Sequence, residues 1–207
     1  MSKERRLTLQ DLYEPAAAVA DSLLHEPFYQ AITTDHRDNP AQRVAVLRAY
    51  MAYSLAESQR TGRLVLAPNP AEGAAAWLLP RTAAIDARES AAKSAFLRAT
   101  LGRAGFANYQ RIVAFMRPPC KSVVPSDAWY LSILGVLPAT QGRGIGAQLL
   151  QPTLKEADAA GAVSYLESFS ERNPAFYGRL GFNTIATHCE PTTNAPYRIM
   201  LRARPTV

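Results

Sequence analysis

Residues 141 to 146 read Gln-Gly-Arg-Gly-Ile-Gly, just where an apolar run gives way to helical spacing. Glycine tolerates positive φ and lets a ligand approach the main chain closely. At the start of a helix such a turn aims unused N–H groups and the positive end of the helix dipole at one point, which is the chemistry of a phosphate site. Arg143 could add one charged contact. Two phosphate-binding patterns compete. Gly142, Gly144 and Ala147 satisfy the dinucleotide pattern G-x-G-x-x-A, and Glu167 follows about 20 residues on. Against that reading, Pro138-Ala-Thr140 separates the first glycine from its strand, and only about 60 residues remain to complete a nucleotide-binding sheet. A Walker loop is excluded because no Lys-Ser/Thr pair follows Gly146.

Other reactive side chains are sparse. Glu167 interrupts Val163-Ser-Tyr-Leu-Glu-Ser-Phe169, an otherwise largely apolar stretch, and is either a base held at a site or an outward-facing or salt-bridged carboxylate. Cys120 and Cys189 lie outside any C-x-x-C spacing, so neither a zinc site nor a disulfide framework is suggested and a reducing cytoplasm is the default. His25 and His36 read as surface histidines. His188 and Cys189 lack a third partner, so no catalytic triad is assigned.

The elements that must position these residues follow from periodicity. A short strand is expected around Arg5 to Thr8. Leu12, Ala16, Val19, Ala20, Leu23 and Leu24 repeat at helical spacing with Asp11 as N-cap. An aromatic-bearing loop from Glu26 to Pro40 leads to a second helix from Ala41 to about Arg60. Arg63–Ala67 and Gly73–Leu79, flanking Pro68-Asn-Pro70, read as a hairpin. Helical spacing runs from Asp86 to about Met116 with a break at Gly102 to Gly105, and an irregular loop follows from Pro118-Pro119 to Pro125. Trp129 to Leu137 is a buried strand. A helix then runs to about Ala160, kinked at Pro152 and closed by Gly161. The sequence ends in a strand from Val163 to Phe169, a short helix from Pro174 to Leu180, and strands at Phe182 to Thr187 and Arg198 to Ala203.

With 207 residues, 48% apolar and 19% charged, the chain resembles an ordinary globular domain rather than a disordered one. Lys plus Arg number 23 and Asp plus Glu 17, a net +6, which suits an anionic ligand without the dense basic stripe of a nucleic-acid binder. No apolar run approaches the ~18 residues of a membrane helix, and Met1-Ser-Lys-Glu-Arg-Arg6 lacks a signal-peptide core. The expected protein is soluble and cytoplasmic, with no nucleic-acid or membrane partner.

Gln141-x-x-Gly144-x-Gly146 is similar to the Q/R-x-x-G-x-G/A acyl-coenzyme A motif of the GNAT superfamily of N-acetyltransferases. Leu134-Gly-Val-Leu-Pro138 fits the strand that precedes it, and Asn173-Pro-Ala-Phe-Tyr-Gly-Arg-Leu-Gly-Phe182 resembles the family's following N-x-x-x-F/Y-Y-x-x-x-G-F segment. The resemblance implies a single GNAT domain over 1–207, with 1–128 on the acceptor side and 129–207 binding acetyl-coenzyme A. Its α/β fold would have a mixed central sheet splayed between two parallel strands and flanked by helices. It implies acetyl transfer from acetyl-coenzyme A to a primary amine by direct attack in a ternary complex, with no metal. Cofactor contacts would come from Leu134, Gly135, Val136, Gln141, Gly142, Arg143, Gly144, Ile145, Gly146, Asn173 and Phe176. The Val136 N–H would polarise the thioester, Glu167 would act as base and Tyr177 as acid. Phe28, Tyr29 and Tyr130 would line the acceptor pocket, while Trp77 and Trp129 read as core. The acceptor would be a small-molecule amine: an aminoacyl nucleoside, an antibiotic or a metabolite. A protein substrate, a non-catalytic acyl-coenzyme A sensor and a homodimer stay open.

Overall fold

The structure, a computed structural model, describes residues 7, 8 and 10–204. In chain order the elements are α1 (Tyr13–Leu23), α2 (Pro27–Ile32), α3 (Pro40–Thr61), β1 (Gly62–Leu66), β2 (Gly73–Leu78), α4 (Ala83–Thr100) and α5 (Gly102–Val123). Then follow β3 (Trp129–Val136), α6 (Ile145–Ala159), β4 (Ser164–Ser168), α7 (Asn173–Gly178), β5 (Asn183–Glu190) and β6 (Ala195–Arg202). The strands form one mixed sheet in the order β1-β2-β3-β4-β6-β5. Only β3 and β4 pair in parallel; the other neighbours are antiparallel.

Strand alternation sends successive side chains to opposite faces, and β2 shows what each face meets. Ala74 and Ala76 join the core built with α1, α3 and α5, whereas Ala75 and Trp77 join the core built with α6. Both faces are covered, so small residues suit this strand. On α3, Leu47, Met51 and Leu55 are fully buried at four-residue spacing, the stripe expected of a helix lying on a sheet. α1 packs closely on β3 at Gly135, where an added Cβ would stand 2.6 Å from Ser22 Oγ and 2.8 Å from Val19 Cα.

α6 runs unbroken through Pro152. A mid-helix proline costs about 3 kcal/mol, but burial of Leu149, Leu150 and Leu154 contributes about 1.5–3 kcal/mol each. The same balance corrects the expectation of a loop from Pro118 to Pro125. α5 continues past Pro118 and Pro119 to Val123, because Ile112, Phe115, Met116, Cys120 and Val124 form one stripe against the core. Segment 26–40 is not a plain loop either, since it contains α2 and a 3-10 turn at Thr34–His36. Asp11 does not cap α1. Its carboxylate accepts the Thr8 N–H at 2.8 Å, and the N-cap is Leu12. Of the expected first strand, residues 5 and 6 lie outside the described residues, and Leu7 and Thr8 are not in a strand. The last two strands are longer than expected because they pair with each other from Asn183↔Leu201 to Glu190↔Ala195.

Candidate active site

The parallel pair is short. β3 and β4 are in register at Trp129↔Ser164, Tyr130↔Tyr165 and Leu131↔Leu166, yet β3 continues to Val136 and β4 to Ser168. Past Leu131 the strands part, so the β3 edge from Ser132 onward lacks a strand partner on that side. An unpaired strand edge within a cleft can hydrogen-bond an extended amide-bearing chain as a further strand would.

On one side of the parting lies a cavity of about 670 Å³. Leu134, Gly135 and Val136 line it from β3, the glycine turn closes its outer end, and Asn173, Phe176 and Tyr177 of α7 face them. Gly142 and Gly144 have φ of +79° and +81°, and Gly144 is the N-cap of α6 without a side-chain cap. The first bond inside α6 is Gln148 N–H to Gly144 C=O, 3.1 Å, so the N–H groups of Ile145, Gly146 and Ala147 are left for a ligand. Gln141 fixes the turn to β3 by donating from Nε2 to the Val136 carbonyl at 3.0 Å. A Cβ at Gly146 would come 3.2 Å from Phe176 Cζ, which measures how closely α6 and α7 approach here. The Arg143 guanidinium instead pairs with Glu72 at 3.3 Å and does not line the cavity. Arg172 and Arg179 do, two cations that motif reasoning passed over although they bracket α7.

Between the strands a small cavity of about 130 Å³ carries Glu26, Tyr29, Tyr130, Leu134, Glu167 and Tyr177 on its walls. It shares Leu134 and Tyr177 with the first cavity, and Phe28, Tyr130 and Glu167 with a third of about 640 Å³. The third cavity lies over α3, α4 and α5 and is lined by Tyr50, Lys93, Tyr109 and Cys120 among others. Phe28, Tyr29, Tyr130, Glu167 and Tyr177 thus meet around one passage. Sequence reasoning did not name Glu26, Tyr50, Lys93 or Tyr109. Glu26 had a signal, a carboxylate among apolar neighbours; the α4 and α5 residues had none, because their place depends on helix packing.

Burial sets the electrostatics. Desolvation pushes the Glu167 carboxyl above its ordinary pKa, and hydrogen bonds from Tyr197, Tyr130 and Cys120 offset this only in part. The Tyr197 hydroxyl donates to Glu167 Oε1. Burial likewise raises Glu26, with Arg172 opposing it, and burial together with the Glu26 charge raises the Tyr177 phenol. Cys120 is pushed up to about 12 by burial and the Glu167 charge, so its thiol stays protonated and is a poor nucleophile. Among the described residues no group of three or more His, Cys, Asp or Glu is placed to hold a metal.

Residues 97–184 match the family described as acetyltransferase (GNAT) domain. The chain superposes on a Corynebacterium glutamicum structure described as histone acetyltransferase HPA2 and related acetyltransferase, with TM-score 0.64, 18% identity, and 98% and 96% of the two chains covered. The polyamine N-acetyltransferase of Drosophila melanogaster gives TM-score 0.64 at 13% identity over 96% of this chain and 98% of that one. Arylalkylamine N-acetyltransferase 2 from Aedes aegypti gives 0.57 at 13% over 97% and 98%. The fold is that of a GNAT acetyltransferase. The GNAT domain match over residues 97–184 marks the chain as an acyltransferase, and acetyl-coenzyme A is the cosubstrate the GNAT domain implies. The residues present suit it: free N–H groups and two arginines for phosphates at one end, and an unpaired strand edge leading to a buried carboxylate at the other.

Proposed function

We propose that the protein transfers the acetyl group of acetyl-coenzyme A to a primary amine of a small molecule, by direct attack in a ternary complex. The observation that carries this reading is the meeting of the cofactor-side and acceptor-side cavities at Glu167 and Tyr177, where β3 and β4 part. An alkyl ammonium has a pKa near 10.4 and must lose a proton before it attacks. Glu167, ionised above its raised pKa, binds the ammonium as a carboxylate and accepts that proton directly or through water. The Val136 N–H takes up charge developing on the thioester oxygen. As the C–N bond forms and the C–S bond breaks, Tyr177 donates a proton to the departing sulfur. Its raised pKa keeps the phenol protonated for that role.

The fold relatives named for polyamine and arylalkylamine acetylation support an amine acceptor. The stretches Trp129 to Val136, Gln141 to Gly146, Leu166-Glu-Ser168 and Arg172 to Phe182 also resemble puromycin N-acetyltransferase, which makes an aminoacyl nucleoside one candidate acceptor. Two free cysteines, half-buried and exposed, suit a cytoplasmic enzyme. The test is thiol release from acetyl-coenzyme A across a panel of primary amines, with calorimetric titration of acetyl-coenzyme A alongside. Amine-dependent release is expected; tight binding without release for any amine would replace the enzyme by an acyl-coenzyme A sensor.

A further inference from the structure

The acceptor cavity is polarised. At its inner end stands Glu167, and its walls are aromatic: Tyr130 and Tyr165 stack at 4.7 Å between centroids on neighbouring strands, with Phe28 and Tyr109 opposite at 6.4 Å. Away from Glu167 the polar groups change character. Cys120 on α5 lines the cavity with Glu167, and Arg117 and Lys121 flank it on the same helix while also lining the cavity. Among the described residues neither Arg117 nor Lys121 makes an ion pair. From α4, Lys93 reaches the cavity with its ammonium 3.0 Å from Glu57 and 5.9 Å from the Tyr50 ring. Burial alone would lower its pKa, but the Glu57 carboxylate beside it opposes that and the pKa stands raised, so Lys93 is a cation. Glu57 is shared with Arg81 at 3.2 Å, and Arg81 also pairs with Asp86, leaving this cluster balanced and the cavity's surplus charge on Arg117 and Lys121. Ser54, 4% exposed, lines the same cavity from α3 along with Tyr50.

We propose that the acceptor is an amine with an aromatic body and a negatively charged group, carboxylate or phosphate, at the end remote from the amine, and that linear polyamines are disfavoured. This rests on the acetyltransferase reading and names its substrate class. The amine would sit against Glu167, the body between the tyrosines, and the anion near Lys93, Arg117 and Lys121. A second cationic end, as in a polyamine, would meet like charge there.

Thiol-release kinetics with tyramine, 4-(2-aminoethyl)benzoate, tyramine O-phosphate and spermidine provide the test. Both anionic amines should exceed tyramine in kcat/KM by about tenfold, chiefly through KM, with spermidine below tyramine. Whichever anion leads tells carboxylate from phosphate. The rim substitution Arg117→Glu should lower the anionic-to-neutral ratio by about tenfold and raise spermidine relative to tyramine, and Lys93→Gln should lower the same ratio. Equal kcat/KM for tyramine and the anionic amines, or a ratio indifferent to both substitutions, would overturn this inference and leave the acetyltransferase intact. Absence of release with these four and with the wider amine panel would overturn the acetyltransferase reading itself.

Discussion

A carboxylate in the position of Glu167 is expensive, and the expense is its use. Burial favours the protonated acid, so the group releases and takes up a proton nearer to neutrality than an exposed glutamate, whose pKa is about 4.3. On the acid side kcat/KM should therefore rise with pH through a value above that of a free glutamate. Glu167→Gln should remove this limb and lower the neutral-pH rate by about 100-fold, leaving only the pH dependence of the amine. The linkage sign gives a second measurement. Because the folded pKa is raised, the native state holds its proton longer than the unfolded chain, and Glu167 costs stability increasingly as pH climbs from the unfolded to the folded value. Melting curves should find Glu167→Gln more stable than the parent at pH 8 and equal to it near pH 4. Tyr177→Phe should keep the packing against Phe176 and Phe182 while kcat falls. An unchanged kcat would remove the phenol from the chemistry.

At the scale of elements, the start of α6 does the most with the least. Neither Gly142 nor Gly144 has an atom within 4 Å of an added Cβ, so space does not require glycine there; the positive φ does. A side chain in that region costs roughly 1–2 kcal/mol. Gly161 has φ +61° and equally open surroundings, which makes it the control. Gly144→Ala and Gly161→Ala should lower Tm by similar amounts, but only Gly144→Ala should raise the KM for acetyl-coenzyme A, by about tenfold. The glycine turn was legible in the sequence because its chemistry is local. Helix ends across prolines were not. The burial of Cys120 and Val124 that carries α5 past Pro118 and Pro119 is a property of the neighbours, and no local rule contains it.

For the molecule as a whole, ligand binding and stability are linked. If the 670 Å³ cavity holds acetyl-coenzyme A, a concentration 100 times its Kd stabilises the fold by about 2.7 kcal/mol, or about 5–10 °C in Tm for a chain of this size. A thermal shift with acetyl-coenzyme A and none with a nicotinamide dinucleotide is expected. The reverse would revive the G-x-G-x-x-A reading of Gly142, Gly144 and Ala147.

Short-range order lay within reach of the sequence alone: a phosphate-binding turn needs contiguous glycines and a helix start, and amphipathic helices and alternating strands announce themselves by period. The α/β fold with its mixed sheet was what the family resemblance of the two linked motifs implied, and the order of elements was compatible with it. The amine side could not. Its walls come from α2, α3, α4, α5 and β4, so Phe28, Tyr50, Lys93, Cys120 and Glu167 are neighbours only because the sheet gathers them. Only the tertiary structure decided that the register of β3 and β4 stops at Leu131↔Leu166. Pairing depends on the packing of both faces, and no single strand carries in its own residues the point at which its neighbour leaves it.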